Sequence, residues 1–194
     1  MVFKHFLTKV QNVYKYVLNN HPYATQGVQA GMIMGAGDVM AQVAIEKRSL
    51  DNINILRTGQ FTMLGTFLIG PTLRLVYGIL DRKIKTQHPL KRALQKVACD
   101  QLLFAPIFNL IVTSAISIIQ GYRGQAIIER VRENYVDIMM TNYCLWPAAQ
   151  IINFSFVPLN YQVLYAQTVA LGWNTYFSWK MSKHEVVIPV SKAM

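Results

Sequence analysis

Apolar positions recur along this chain in long blocks separated by short charged stretches. Residues 2–18 place Phe3, Phe6, Leu7, Val10, Val13, Tyr14, Val17 and Leu18 at helical spacing, with Lys4, Lys9, Gln11, Asn12 and Lys15 opposite. That pattern predicts a basic amphipathic helix lying in a membrane interface. Five membrane-deep segments follow, at about 23–45, 58–80, 93–120, 135–157 and 160–180. The last two come from the run that decides the solvent: from Ile138 to Trp179, 42 residues contain no Asp, Glu, Lys or Arg. A helix crosses a hydrocarbon core with roughly 20 apolar residues, so two fit, broken near Val157-Pro158-Leu159-Asn160.

The expected fold class is therefore all-α: a multi-pass membrane helical bundle of five membrane-deep helices, preceded by the N-terminal amphipathic helix. Residues 1–20 are assigned to that helix, 21–181 to a single bundle domain and 182–194 to a flexible tail. The number of crossings is four or five. The Lys and Arg bias between the two sides is stronger with an even number, whereas hydropathy marks five segments.

Each segment carries a polar stripe when projected at about 100° per residue. In the first, Gly27, Gly31 and Gly35 share a face with Asp38 and Gln42. The glycines, at GxxxG spacing, predict close helix packing. The second aligns Thr58, Thr62, Gly65 and Thr72, and the third Asn109, Thr113, Ser117 and Gln120. The fourth aligns Asn142, Trp146, Gln150 and Asn153, and the fifth Asn160, Gln167, Asn174 and Ser178. Lipid cannot satisfy amides, so the stripes are expected to face the bundle interior, as interhelical bonds or as a wet path.

Three charges, Asp38, Arg74 and Asp100, lie in or at the edge of these segments. An ion pair between Arg74 and one aspartate leaves the other needing water, a proton or a solute. Asp100 points nearly opposite Asn109 on a straight helix and joins the polar face only if the helix bends or rotates near Pro106. Pro71, Pro106, Pro147 and Pro158 are the expected helix breaks, since each removes a backbone donor.

Composition refines this picture. Apolar residues make up 53% and charged residues 14%, yet mean hydropathy is only +0.24, as expected of membrane helices rich in uncharged polar groups. The net charge of +10 gathers in connections such as Asp81-Arg82-Lys83-Ile84-Lys85 and Lys91-Arg92, which read as interfacial anchors and topology signals. No basic run alternates with exposed aromatics, so direct nucleic-acid binding is not expected. Cys99 and Cys144 form no CxxC, and the four histidines lie outside the apolar cores. No catalytic residue, metal site, cofactor or enzymatic activity is expected.

The fourth and fifth segments carry a specific pattern. Asn142-Tyr143, Leu145-Trp146-Pro147, Gln150, Asn153-Phe154, Val157-Pro158 and the stretch from Trp173 to Lys180 resemble the signature of the Mpv-seventeen and peroxisomal membrane protein family. Gly35, Gly37-Asp38, Gln42, Gly70-Pro71, Leu80-Asp81-Arg82, Asp100-Gln101 and Ala105-Pro106 match its earlier blocks in order. Two departures stand out: Val76-Tyr77 replaces the usual Trp-Tyr, and Gln162 replaces a usual basic residue. Thr141-Asn142-Tyr143 and Trp179-Lys180 are closer to mitochondrial inner-membrane members than to peroxisomal ones.

The resemblance implies a small helical membrane protein with weakly selective channel activity, a role in membrane potential, and support of mitochondrial nucleotide pools and DNA. The expected location is the mitochondrial inner membrane, with the peroxisomal membrane as alternative. The expected function is thus a solute or ion pore lined by Asp38, Gln42, Arg74, Asp100, Gln150, Asn153, Asn174 and Ser178. Asp38 would bias it towards cations unless Arg74 neutralises it. The alternatives are a closed structural or assembly protein and a gated metabolite carrier. The expected partners are the lipid bilayer, small solutes or ions and, for larger permeants, further copies in a homo-oligomer.

Overall fold

Residues 12–14 and 16–182 are described by the structure, a computed structural model. Most of the expected amphipathic helix and nearly all of the expected tail lie outside the described residues. A helical stretch through residues 16–20 leads into five long helices: α1 (Pro22–Ile45), α2 (Ile55–Lys83), α3 (Pro89–Ile119), α4 (Gln125–Phe156) and α5 (Leu159–Ser182). Among the described residues there is no strand.

Local chemistry sets the ends. Pro22 and Pro89 sit in the first turns of α1 and α3, where a missing N–H costs nothing. Asn54 caps α2, its side-chain oxygen accepting from the Arg57 backbone N–H at 3.0 Å. Gly121 (φ 92°) and Gly124 (φ 53°) make the left-handed turn between α3 and α4. Extended Val157 before Pro158 ends α4, since the ring disfavours helical backbone in the preceding residue.

Pro71, Pro106 and Pro147 do not break helices. Pro71 and Pro106 each follow a wide, π-type turn, Gly65–Ile69 and Asp100–Phe104, through which the helix continues. Such a turn inserts one extra residue and re-aims the faces on either side of it. A third wide turn, Ala41–Ile45, closes α1. Pro147 lies inside an uninterrupted α4, so the break expected there is absent. One lost backbone bond is compatible with a helix that its neighbours hold in place.

Consecutive helices run antiparallel. Asp81 near the end of α2 meets Lys96 near the start of α3, and Arg130 near the start of α4 meets the Met181 carbonyl near the end of α5. α5 runs the full depth of the bundle, from Val163 beside Tyr77 to Ser178 beside Asp38. α1 lies between α2 and α5 and packs closely on both. A Cβ on Gly27 would stand 2.6 Å from the Thr66 carbonyl oxygen, and one on Gly65 would stand 2.7 Å from the Gly31 Cα. Gly31 and Gly35 face Thr62 and Thr66 in the same seam.

α1, α2 and α3 are long and apolar enough to cross a membrane by length and composition. α4 and α5, which hold the uncharged run, are long enough but less apolar, because they carry amides such as Asn142, Gln150, Asn153, Gln167 and Asn174. The run is free of charge, but it is not the greasiest part of the chain.

Candidate functional site

Two buried polar clusters occupy the bundle interior. The first ties α1, α2 and α5 together near one end. Asp38, wholly buried, accepts four hydrogen bonds: from Arg57 Nε (2.6 Å), Thr58 Oγ1 (2.6 Å), Gln42 Nε2 (2.8 Å) and Ser178 Oγ (2.5 Å). Arg57, 1% exposed, turns its two terminal nitrogens onto the Glu46 carboxylate at 2.7 and 3.1 Å. Arg48 Nε reaches the same carboxylate at 3.0 Å. The Asn54 backbone N–H donates to the Gln42 side-chain oxygen at 2.7 Å. Two guanidinium groups and two carboxylates balance, so this clasp carries no net charge, and Asp38 has no free lone pair to offer a solute.

The second cluster spans α2, α3 and α4. Asp100 Oδ2 accepts from Gln101 Nε2 (2.7 Å) and Gln150 Nε2 (3.0 Å). The Gln150 amide also reaches the Tyr77 hydroxyl at 2.6 Å, and its oxygen accepts from Asn153 Nδ2 at 2.9 Å. Asn142 Nδ2 donates to the Gln101 side-chain oxygen at 3.0 Å, and Asn109 Nδ2 donates to Asn142 at 3.3 Å. The wide turn at Asp100–Phe104 is what lets Asp100 and Asn109 meet the same interior, although they oppose each other on a straight helix. Among the described residues, Asp100 has no ion-pair partner.

This second cluster borders a central cavity of about 80 Å³ walled by all five helices, including Met34, Tyr77, Asp100, Asn109, Gln150 and Asn174. Apolar side chains close in on both sides. Met34, Phe61, Ile116, Ile138, Phe177 and Met181 fill the end towards Arg130, and Tyr77, Ala93, Val97, Phe154, Val163 and Ala166 the other.

The sequence model of the Mpv17 / PMP22 family matches residues 117–178. Mitochondrial inner membrane protein Mpv17 of Drosophila melanogaster is 41% identical over 157 residues, covering 80% of this chain and 94% of the relative. The chain belongs to the Mpv17/PMP22 family. Mpv17 of Danio rerio is 36% identical over 170 residues (88% of this chain, 96% of the relative). Mpv17 of Homo sapiens is 37% identical over 167 residues (86% and 94%). No solved structure matches the chain. With relatives of this name across animals, the chain is an Mpv17-family protein of the mitochondrial inner membrane.

The family match holds one wall of both clusters: Asn142, Gln150 and Asn174 around the cavity, Asn153 bonded to Gln150, and Ser178 in the clasp. Of the residues expected along a pore, Asp38, Gln42 and Ser178 meet in the clasp, whereas Asp100, Gln150 and Asn153 meet in the second cluster. Asn174 lines the cavity, and its amide bonds to none of the described residues. Arg74 joins neither group. It is half-buried on α2 and pairs with no carboxylate of the described residues, so the cation that neutralises Asp38 is Arg57.

Arg57 and Glu46 escaped the sequence reading because both were assigned to a connection. A signal was present: Asp38, Gln42 and Glu46 recur every four residues, and a lone arginine follows a capping Asn54. Arg130 escaped for the same reason. It sits buried in the first turns of α4, donating to Gln120 Oε1 at 2.6 Å and lying 4.1 Å from the centre of the Tyr122 ring. Among the described residues, no group of three metal-ligating side chains occurs.

Proposed function

We propose that this Mpv17-family protein is a gated, non-enzymatic conduit for small polar solutes or ions across the mitochondrial inner membrane, with its central cavity flanked on both sides by apolar clusters. One observation carries the reading: a cavity between five antiparallel helices whose wall combines Asp100, Asn109, Gln150 and Asn174 with aromatic rings. Polar walls at membrane depth are expected where water or solute occupies the space. Through a regulated leak of this kind the protein modulates membrane potential and supports mitochondrial nucleotide pools and DNA, roles that the family resemblance supports. The permeation path runs past Asp100 and Asn174. Asp38, held in a neutral clasp, acts as a fastener and leaves ion selectivity to Asp100.

The test is flux of sized solutes through purified protein in phosphatidylcholine liposomes at several membrane potentials. A size cut-off at small solutes is expected, with flux reduced by Gln150→Leu. Liposomes that stay impermeable to all solutes at every potential refute the conduit.

A second reading, a structural bundle holding partner subunits, draws on the saturation of Asp38 by four donors. Under it, Asp38→Asn lowers thermal stability or assembly in a membrane that is impermeable throughout.

A further inference from the structure

We propose that the central cavity binds a small primary alkylammonium cation, held by the Asp100 carboxylate within an aromatic wall. The inference rests on the conduit reading and names the class of solute.

The two buried aspartates make a controlled comparison inside one molecule. Asp38 shows how this fold satisfies a structural carboxylate, with four donors and an arginine. Asp100 is only 3% exposed, yet both of its protein hydrogen bonds come from neutral amides and both fall on Oδ2. Among the described residues, Oδ1 has no donor. The nearest cation along the helix, Lys96 one turn earlier, is committed to Asp81 at 2.8 Å. A carboxylate buried with one oxygen unused and no countercharge is stabilised by a cation that enters from the cavity.

The walls select the kind of cation. Tyr77, Phe104, Phe108, Trp146, Trp173 and Phe177 all border the space. Aromatic faces attract a cation through their quadrupole and suit one whose charge is carried next to alkyl carbon, which strips of water more readily than a metal ion. The free acceptor atoms, Asp100 Oδ1 and the amide oxygen of Asn174, call for N–H donors. Size sets the upper limit. At roughly 10–15 Å³ per water, 80 Å³ holds about five to eight waters, so methylammonium fits and a tetraalkylammonium with long arms does not. An anionic solute such as a nucleotide meets the Asp100 charge with no cation in the wall to offset it.

The test uses the full chain in phosphatidylcholine nanodiscs, with calorimetry and tryptophan fluorescence, since Trp146 and Trp173 border the cavity. The probes are methylammonium, methanol as its neutral analogue, potassium and tetrabutylammonium. Saturable binding of methylammonium is expected, at least tenfold tighter than methanol or potassium, with tetrabutylammonium excluded. Asp100→Asn should weaken it tenfold or more and Phe108→Leu about threefold, with Gly59→Ala, a site open on all sides, unchanged. Should Asp100→Asn fail to fold, the probe series on the wild-type protein decides alone. Equal affinity for methylammonium and methanol overturns the inference, and so does equal affinity for potassium or binding that survives Asp100→Asn. Liposome flux separates the two proposals. Asp100-dependent binding without flux leaves the site and removes the conduit, whereas flux without selective cation binding leaves the conduit and removes the site.

Discussion

Replacing Arg57 with methionine tests the clasp most directly. The substitution keeps the apolar stem and removes the charge and every side-chain donor. Asp38 would then be a wholly buried carboxylate facing three neutral donors, Gln42, Thr58 and Ser178. Breaking a buried pair by removing one partner costs about 3–5 kcal/mol, because the remaining charge is left uncompensated. Glu46 adds little to this figure. Its side chain is 18% exposed and still has Arg48 at 3.0 Å, so its share falls within the roughly 0–1 kcal/mol of a surface pair. The expected loss is therefore about 3–5 kcal/mol, nearly all of it from Asp38.

The double variant Asp38→Asn/Arg57→Met identifies the cause. It removes both charges but leaves an amide whose oxygen can accept from Gln42 and Thr58 and whose NH2 can donate to the Ser178 hydroxyl, so it should be more stable than Arg57→Met alone. The expected coupling in the cycle is about 2–3 kcal/mol, the upper part of the range for residues in one network. The assay is equilibrium unfolding of purified protein in detergent micelles, with Ser178→Ala, which removes a bond to Asp38 and a longer one from Arg57, as a reference costing about 1.5–3 kcal/mol. A loss below about 1 kcal/mol for Arg57→Met, or additive single effects, would refute the assignment of the clasp as a buried fastener.

Other perturbations have graded outcomes. Gly31→Leu places a branched side chain against Thr62 and Thr66 and should cost about 1–3 kcal/mol or more, whereas Gly78→Ala, with open space around it, should be neutral or gain up to about 1 kcal/mol; thermal melts of both compare them. Asp81→Ala should destabilise more than Lys96→Met. The first strands a buried ammonium, while the second leaves an aspartate whose side chain is 35% exposed and adds apolar packing on Phe154, and paired unfolding curves give the order. Gln150→Leu severs links to Asp100, Tyr77 and Asn153 together; Asp100 keeps its bond from Gln101, so two stranded groups at about 1–3 kcal/mol each should cost about 2–6 kcal/mol by the same measurement.

The five helices were legible because apolar spacing and proline or glycine punctuation agree along the chain. Their starts were less so. α2 begins at Ile55 and α4 at Gln125, earlier than the apolar blocks do, because buried partners let Arg57 and Arg130 ride on the helices. A rule that keeps charges out of membrane helices placed both in loops, and gave the role of counter-ion to Arg74. The meeting of Asp38 with Ser178, 140 residues apart, has no local trace in the sequence. The meeting of Asp100 with Asn109 was half-legible: Pro106 announced a disturbance, but only the extra residue in the preceding turn turns both side chains inward.

The clasp and the cavity are mechanically one unit, and α5 is the reason. Asn174 borders the cavity, and Ser178, one turn further on, donates to Asp38. On α1, Gly37 abuts Asn174 so closely that a Cβ would stand 2.7 Å from the Asn174 Cβ, and the next residue is Asp38. The depth at which α5 sits against α1 is thus fixed by a hydrogen bond and a glycine contact one turn apart. Trp173 and Phe177, on the same stretch of α5, form part of the cavity wall and of the apolar cluster that closes the Arg130 end. Sliding or rotating α5 to unseat that cluster has to carry Ser178 away from Asp38, leaving Arg57 and Glu46 to hold the remaining charge. A neutral, fully bonded clasp therefore resists opening through the loss of two directional bonds, from Ser178 to Asp38 and from Arg57 to Ser178. Asp100 and Asn174 line the same cavity, so an occupant held by Asp100 would bear on α5. The carboxylate that fastens the bundle and the carboxylate left open to the cavity both act on the face of α5 that carries Asn174 and Ser178.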